Sequence, residues 1–150
     1  MNILNQKMLE KLIGLQIIKS KLEESLAQLT SDGFVEKDGC VFLKSLFILQ
    51  SHYTEKYFVD NTGYECFVNS IHIDDYVDGD YLIQCVLFMD HVINELEIHK
   101  INGSFTFILS ETQFGANFKF HLTREKEVWI NSHDVDKFEE PLFLRVITIG

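Results

Sequence analysis

Apolar and polar positions follow two different periods along the chain, one helical and one extended. Over residues 3–28 the apolar side chains recur close to every 3.6 positions, and lysines and glutamates occupy the other face. This pattern predicts a long N-terminal helix, which ends at "TSDGF" with Gly33 as the stop signal. Residues 81–99 show the same period and predict a second, central helix.

The remaining segments have an extended pattern. β-Branched and aromatic residues predict strands at 40–49, in "KYFVD" and in "YECFVNSIHI", where Glu65 and Asn69 fall on the apolar face and indicate a bulge or an edge. After the second helix, "SFTFILSE", "ANFKFHL", "VWIN" and "LFLRVITI" predict a β-meander in the C-terminal half. The order predicts an α+β domain, with both helices packed on one side of a mostly antiparallel sheet.

Length and cysteine content limit the class of protein. The 150 residues, 46% of them hydrophobic, predict a single domain over residues 1–150. No run approaches the roughly 18 uninterrupted apolar residues of a spanning helix, and no small-residue cleavage site follows the N-terminal segment. Cys40, Cys66 and Cys85 are odd in number and widely spaced, which favours buried free thiols in a reducing cytoplasm. We therefore expect a cytoplasmic protein without a membrane partner.

The charge of the chain is unevenly distributed. The net charge is −10, which disfavours nucleic acid as a direct ligand because phosphate binding needs clustered lysine and arginine. Residues 57–99 contain nine acidic residues and no lysine or arginine, whereas the other 107 residues hold 14 acidic and 13 basic ones. Concentrated negative charge repels itself. The segment forms either a solvated face or a surface for a basic partner, and we favour the partner.

The stretch "SIHIDDYVDGDY", residues 70–81, has four aspartates within seven positions. When its glycine is aligned with the invariant glycine of an EF-hand loop, Tyr76 and Cys85 fall where oxygen ligands are needed. The stretch is therefore a poor match to an EF-hand, and a weak cation site of another geometry stays open. A plainer interpretation is a polar turn in which Asp78 or Asp80 caps the following helix.

Other motifs with known chemistry are weak. His72 precedes Asp74 by two positions, and a single pair of this kind does not define a metal site. His91, Glu95 and His99 recur every four positions on the predicted helix, where the two histidines are too far apart to share a metal. No Gly-x-Ser-x-Gly motif and no glycine-rich phosphate loop occur. We expect no catalytic residue, no metal and no cofactor.

The aromatic residues allow more than one interpretation. Trp129, the single tryptophan, either anchors the meander to the core or forms a hot spot of a binding surface. Four phenylalanines belong either to the core or to the lining of a ligand pocket, with His121 or His72 as its polar group. They are Phe105, Phe107, Phe118 and Phe120.

Two stretches, "ECFVNSIHIDDYV" and "FKFHLTREKEVWINSHDVDKFEEPLFLRVI", together 43 of 150 residues, give the chain a family resemblance. With its size and acidity, the chain resembles the small cytoplasmic immunity proteins that bacteria make against their own toxins, such as those of contact-dependent growth-inhibition systems. The resemblance implies a non-enzymatic protein that binds one cognate toxin, often a basic nuclease, and blocks its active site or a nearby surface.

We therefore predict an immunity protein whose acidic surface binds a basic, nuclease-type toxin domain. The candidate toxin-binding residues are Asp60, Glu65, Asp74, Asp75, Tyr76, Asp78, Asp80 and Tyr81. Two alternatives remain open. One is a small-molecule-binding or enzymatic domain with the phenylalanine-lined pocket, and the other is a regulatory adaptor that binds a different protein.

Overall fold

The structure is a computed structural model that describes residues 1–15 and 19–150. Its helices and strands, in chain order, are β1 (Asn2–Leu4), α1 (Gln6–Ile13), α2 (Glu24–Ala27), β2 (Phe34–Lys37), β3 (Cys40–Leu43), α3 (Lys44–Leu49), α4 (Asn61–Val68), β4 (Ile71–His72), α5 (Tyr81–Ile98), β5 (Gly103–Glu111), β6 (Ala116–Leu122) and β7 (Leu142–Ile149). Short 3-10 turns lie at Gln28–Thr30, Glu55–Tyr57, Ile73–Asp75 and Ser132–Lys137.

Five strands form one antiparallel sheet in the order β1-β7-β5-β6-β4. The prediction of an α+β domain with a mostly antiparallel sheet is therefore confirmed. The predicted meander is wrong in one respect, because "VWIN" is not a strand and β7 pairs with the other edge of β5. Residues 123–141 instead cross over one face of the sheet, and this crossing allows β7 to reach that edge.

The main core lies between α5 and one face of the sheet. Phe105, Phe107, Phe118 and Phe120 project from β5 and β6 and are completely buried there. Phe88 of α5 meets Phe118 edge-on, with 4.9 Å between the ring centroids. A fully buried side chain of this size contributes about 1.5–3 kcal/mol through the hydrophobic effect, so this layer is a major source of stability. The predicted central helix is confirmed.

The predicted long N-terminal helix is wrong. Residues 2–4 pair with β7 as an edge strand, and the helix that follows runs only from Gln6 to Ile13 before Gly14 caps it. The reason is Asn5, whose Oδ1 accepts hydrogen bonds from the backbone N–H groups of Met8 and Leu142, each at 3.0 Å. A side chain that caps the helix and binds the start of β7 makes a helix beginning at residue 3 impossible. Part of the predicted helix, residues 16–18, lies outside the described residues.

The segment between the two predicted helices is more helical than its sequence pattern indicates. Residues 40–49 form β3 followed by α3, and the predicted strand "YECFVNSIHI" is divided between α4 and β4. Asp60 caps α4 by accepting a hydrogen bond from the N–H of Gly63 at 2.7 Å. Glu65, which did not suit a strand, lies on α4, and Asn69 follows one turn later as the C-cap of that helix. Their shared face binds the backbone of β3.

A two-stranded hairpin, β2–β3, completes the architecture. Its turn is Asp38–Gly39, with φ angles of 51° and 79° that match the turn geometry preferred between twisted antiparallel strands. Asn69 fixes this hairpin to the main sheet, because its Nδ2 donates to the carbonyls of Val41 at 2.9 Å and Phe120 at 3.3 Å. Within residues 1–15 and 19–150, no helix has both the length and the apolar character needed to cross a membrane.

Candidate functional site

An open groove of about 680 Å³ lies at the end of the sheet where the β5–β6 turn meets the residues after β4. We call it the acidic groove; its lining consists of His72, Asp74, Asp75, Thr112, Gln113, Phe114, Asn117, Glu139 and Glu140. Four carboxylates line it, and no lysine or arginine does. Glu139 and Glu140 reach the groove because the N–H of Glu111 binds the carbonyl of Pro141 at 3.1 Å.

Two oxygens at the base of the acidic groove lack a donor. Asp74 Oδ1 and Asn117 Oδ1 are buried, and neither accepts a hydrogen bond from any described residue. Asp74 packs so closely on Gly115 that a Cβ atom at that glycine would lie 2.4 Å from Asp74 Oδ1. Buried acceptors without a partner are costly. The base of the acidic groove is therefore a locally unfavourable arrangement.

A second groove, of about 860 Å³, lies beside the first, and His72 lines both. We call it the apolar groove; its main apolar residues are Tyr57, Phe58, Val59, Phe67, Val128 and Trp129. Val59 is fully exposed and Trp129 is 48% exposed, although both are hydrophobic. Contiguous exposed apolar side chains of this kind are typical of interaction surfaces.

Aromatic contacts hold the apolar groove in shape. Phe67 lies 4.7 Å from Tyr53 and 5.3 Å from Phe58, measured between ring centroids. Phe58 in turn stacks on Tyr64 at 5.0 Å. Rings packed on one another lose little conformational freedom when a partner binds, which suits them as anchors of a binding surface.

The segment that carries Trp129 is attached to the start of α4. Glu127 Oε1 accepts a hydrogen bond from the N–H of Thr62 at 2.9 Å, and this bond lowers the pKa of the Glu127 carboxyl. The indole of Trp129 packs on Gly63, where an added Cβ atom would lie 3.7 Å from Cζ3. Of the two interpretations of Trp129, its exposure and position favour the surface one.

The eight candidate residues do not form one cluster. Asp74 and Asp75 line the acidic groove, and Asp60 lines the apolar groove while it also caps α4. Tyr76 and Tyr81 are half-buried and pack on the core. Only part of the predicted set therefore lies in the two grooves.

Two other candidates lie in the turn before α5. Asp78 and Asp80 are exposed and line neither groove. Asp80 occupies the N-cap position in a left-handed conformation with φ of 51°, but its side chain makes no capping hydrogen bond. The predicted capping role of these aspartates therefore fails for Asp80, and both carboxylates face solvent.

Glu65 is the candidate whose position differs most from the prediction. It is 0% exposed and accepts hydrogen bonds from the guanidinium of Arg124, from Val41 N at 2.8 Å and from Leu122 N at 3.2 Å. Burial raises the pKa of the Glu65 carboxyl, and these hydrogen bonds oppose that shift. It lies on the face of α4 that packs against β3 and β6, so it joins parts of the fold and cannot contact a partner.

Sequence reasoning missed several residues of the two grooves. Glu139 and Glu140 are more than sixty positions from Asp74, and only the pairing of β7 with β5 brings them near. The extended pattern predicts a strand for the segment that contains Tyr57 and Val59, and a strand is expected to bury one of its two faces. The pattern therefore does not indicate that both side chains are exposed. Two adjacent glutamates before Pro141 indicate an exposed, charged turn. They do not indicate which residues lie next to that turn in the fold.

The remaining residues with possible chemistry occupy ordinary positions. The four phenylalanines considered for a pocket are core residues, and His121 projects from the opposite face of β6. All three cysteines are buried and free, and burial raises the pKa of Cys40 to about 11 and of Cys66 to about 12. In the described part of the chain, no three histidine, cysteine, aspartate or glutamate side chains are placed to hold a metal ion.

The fold and the grooves define the class as a small α+β domain that has an acidic groove beside an apolar one. Comparison of sequences then identifies the family. Residues 3–148 match the model of the family described as "Uncharacterized protein PM0498 family", and the chain belongs to that family. It is 27% identical over 124 residues to "Uncharacterized protein PM0498" of Pasteurella multocida (strain Pm70), covering 76% of this chain and 78% of the relative. No solved structure matches the chain.

Proposed function

We propose that this chain is a non-enzymatic immunity protein that neutralises a basic, nuclease-type toxin domain in the cytoplasm of the cell that makes it. The observation that carries the proposal is the junction of the two grooves at His72. It places four carboxylates beside a row of exposed, rigid aromatic side chains. Tight protein interfaces combine a few aromatic anchors with complementary charge in the same way.

The charge of the acidic groove sets the kind of partner. Its four carboxylates come from two distant parts of the chain, and no lysine or arginine is among its lining residues. A lysine or arginine side chain supplies both positive charge and N–H groups. A nuclease has such side chains where it binds phosphate. We propose that the groove receives one of them and thereby blocks the substrate site or a neighbouring surface.

Two lysines lie beside the acidic groove without lining it. Lys7 donates its Nζ hydrogen bond to the backbone carbonyl of Glu139, and Lys11 pairs with Glu111 at 3.2 Å. Both lysines line an adjoining groove that includes Glu139 and Glu140, but neither lines the acidic groove itself. The apolar groove then supplies the area that a stable complex must bury, with Trp129 as its anchor.

A comparison of two charge-reversed variants tests the proposal. The groove variant carries Asp75→Lys, Glu139→Lys and Glu140→Lys. The matched control carries Asp32→Lys, Glu36→Lys and Glu97→Lys, which change the net charge equally at exposed positions outside both grooves. Each protein is used as bait in extracts of a bacterium that carries the gene, at low and at high salt. The retained protein is then purified and produced alone in cells.

We expect the unmodified chain and the control to retain one basic protein at a 1:1 ratio, and the groove variant to lose it. That protein should stop growth when produced alone, and growth should return when this chain is produced with it. Trp129→Ala should weaken the purified complex at least tenfold, because a hot-spot residue contributes about 2 kcal/mol or more. A partner that binds the groove variant equally well, or one that is harmless to the cell, would contradict the proposal.

A further inference from the structure

A separate cavity of about 370 Å³ lies on the outer face of the sheet, beneath the segment that connects β6 to β7. Its wall on the sheet side includes Ile108, Leu144 and His121. Its wall on the connecting segment includes Trp129 and Asn131. The volume is within the range of small-molecule sites, about 300–1,000 Å³. Apolar and polar residues line the cavity in about equal number, and the apolar ones provide most of its surface.

His121 is the polar group that gives this cavity a definite chemistry. The side chain is 5% exposed, and its Nδ1 lies 2.7 Å from the carbonyl oxygen of Leu122. Because a carbonyl oxygen can only accept, Nδ1 carries the hydrogen. Burial lowers the pKa of His121, so the ring is neutral and Nε2 presents a lone pair.

The lone pair on Nε2 is free to bind a ligand. Nε2 has no hydrogen-bond partner among residues 1–15 and 19–150. Nε2 is also not completely buried. Among the described residues, the only side-chain N and O atoms that are both completely buried and unpaired are Asp74 Oδ1 and Asn117 Oδ1. A buried neutral histidine that lines a cavity with an unpaired acceptor calls for a hydrogen-bond donor in that cavity.

The charges around the cavity disfavour an anionic ligand. The guanidinium of Arg124 lines it, but its N–H groups already bind Glu65, Thr62 Oγ1 at 2.9 Å and the Gly39 carbonyl at 2.9 Å. The ammonium of Met1 donates to the Val146 carbonyl at 2.9 Å. Glu127, also in the lining, adds a negative charge. A ligand here is best uncharged.

We infer that the cavity between His121 and Trp129 is a binding site for an uncharged, mostly apolar ring compound that carries one hydroxyl or N–H donor. The donor binds Nε2 of His121, and the ring system lies between the aliphatic wall of Ile108 and Leu144 and the indole of Trp129. This site shares Val128 and Trp129 with the apolar groove but lies on the outer face of the sheet, and the inference does not rest on the proposed function.

Matched probes test the inference on the unmodified protein. 2-Naphthol offers a ring system and a hydroxyl donor, 2-methoxynaphthalene lacks the donor, and 2-naphthoate is an anion. Binding is followed by NMR through the indole N–H of Trp129, the sole tryptophan, and through the ¹⁵N shift of His121 Nε2. Before any probe is added, the ¹⁵N shifts should show hydrogen on Nδ1 and none on Nε2.

We expect 2-naphthol to move both resonances at one common dissociation constant, and 2-methoxynaphthalene to bind at least tenfold more weakly. 2-Naphthoate should not compete. His121→Phe keeps the bulk of the ring without the acceptor and should lose at least tenfold in affinity for 2-naphthol. His52→Phe, a change at an exposed histidine outside this cavity, should bind like the unmodified protein.

Three results would each overturn the inference. One is the absence of any shift up to the solubility limit of 2-naphthol. Another is equal affinity for 2-naphthol and its methyl ether. The third is movement of the Trp129 resonance alone, which would place the probe on the exposed indole instead of in the cavity. The comparison of probes uses the unmodified chain, so it decides the matter even if His121→Phe does not fold.

Discussion

At the scale of single residues, the ion pair between Glu65 and Arg124 holds several elements of the fold together. Glu65 lies on α4, Arg124 follows β6, and the carboxylate also binds backbone N–H groups of β3 and β6. Arg124 also donates hydrogen bonds to Thr62 of α4 and to the carbonyl of Gly39 in the hairpin. The pair therefore connects the hairpin, the helix and the sheet.

Glu65→Gln should destabilise the protein strongly, because it leaves the partly buried guanidinium of Arg124 without its counter-charge. We expect a loss of about 3 kcal/mol in the free energy of unfolding, measured by urea titration. Glu125→Gln, an exposed change of the same chemistry, is the control and should cost less than about 0.5 kcal/mol. Similar values for the two variants would show that the pair does not hold the fold together.

His121 should make stability depend on pH. Burial lowers its pKa below the ordinary value of 6.5, so between the two pKa values the unfolded chain binds a proton that the folded chain does not. The stabilisation that comes from the neutral His121 ring is complete above pH 6.5 and is lost as the pH falls below that value. The free energy of unfolding then decreases by up to about 1.4 kcal/mol per pH unit.

Urea midpoints at several pH values between 5 and 8 measure this effect. We expect His121→Gln to show a smaller loss of stability on acidification than the unmodified protein. His52→Gln, a change at an exposed histidine, should keep the original dependence. The same slope in the His121 variant would show that the neutral imidazole contributes nothing to the folded state.

At the scale of whole elements, Asn5 determines where the N-terminal strand stops and α1 begins. Its Nδ2 donates to the carbonyls of Val135 at 3.2 Å and Glu140 at 2.8 Å, in addition to the bonds that cap α1 and hold β7. Asn5→Ala should cost about 3 kcal/mol, since it removes a cap and leaves buried backbone groups unpaired. Urea unfolding measures it, with exposed Asn94→Ala on α5 as the control. A loss below 1 kcal/mol would contradict this role.

The elements that were predicted well are those whose own pattern decides their conformation. β5, β6 and α5 bury regular apolar faces, so period two or 3.6 was enough to place them. The N-terminal segment and α4 depend on distant partners instead. Residues 2–4 are extended because β7 offers an edge, and Glu65 tolerates burial because Arg124 is near. The Asp38–Gly39 turn was a local sign of the β2–β3 hairpin that could have been recognised.

The candidate site could be predicted only as far as local sequence reaches. Asp74 and Asp75 were readable as an exposed acidic cluster, and Trp129 as a possible surface anchor. That Glu139 and Glu140 complete the groove, and that the apolar groove adjoins it, depends on strand pairings between residues more than thirty positions apart. The local pattern of apolar and polar residues contains no sign of such pairings.

At the scale of the whole molecule, repulsion among the carboxylates of the acidic groove is expected to lower the stability of the free protein. Some of the charge of residues 57–99 is relieved in three dimensions, because Arg124 pairs with Glu65 and Arg145 pairs with Asp90 at 3.1 Å. The carboxylates of the acidic groove have no basic residue in their lining. Proteins often keep a destabilising arrangement where function requires it. If the groove is kept for a partner, the free protein should be less stable because of it.

Neutralising the acidic groove should therefore stabilise the free protein. We expect Asp75→Asn with Glu139→Gln and Glu140→Gln to raise the free energy of unfolding by about 0.5–1 kcal/mol at low ionic strength, and less in 0.5 M salt, where the charges are screened. The control, Asp32→Asn with Glu36→Gln and Glu97→Gln, changes the net charge equally but should gain less, since these acids do not share a groove. Equal gains would show that the three carboxylates are merely part of a generally acidic surface. A larger gain for the groove, together with loss of the toxin in the charge-reversed variant, would mean that the molecule keeps an unstable charge cluster because its partner needs it.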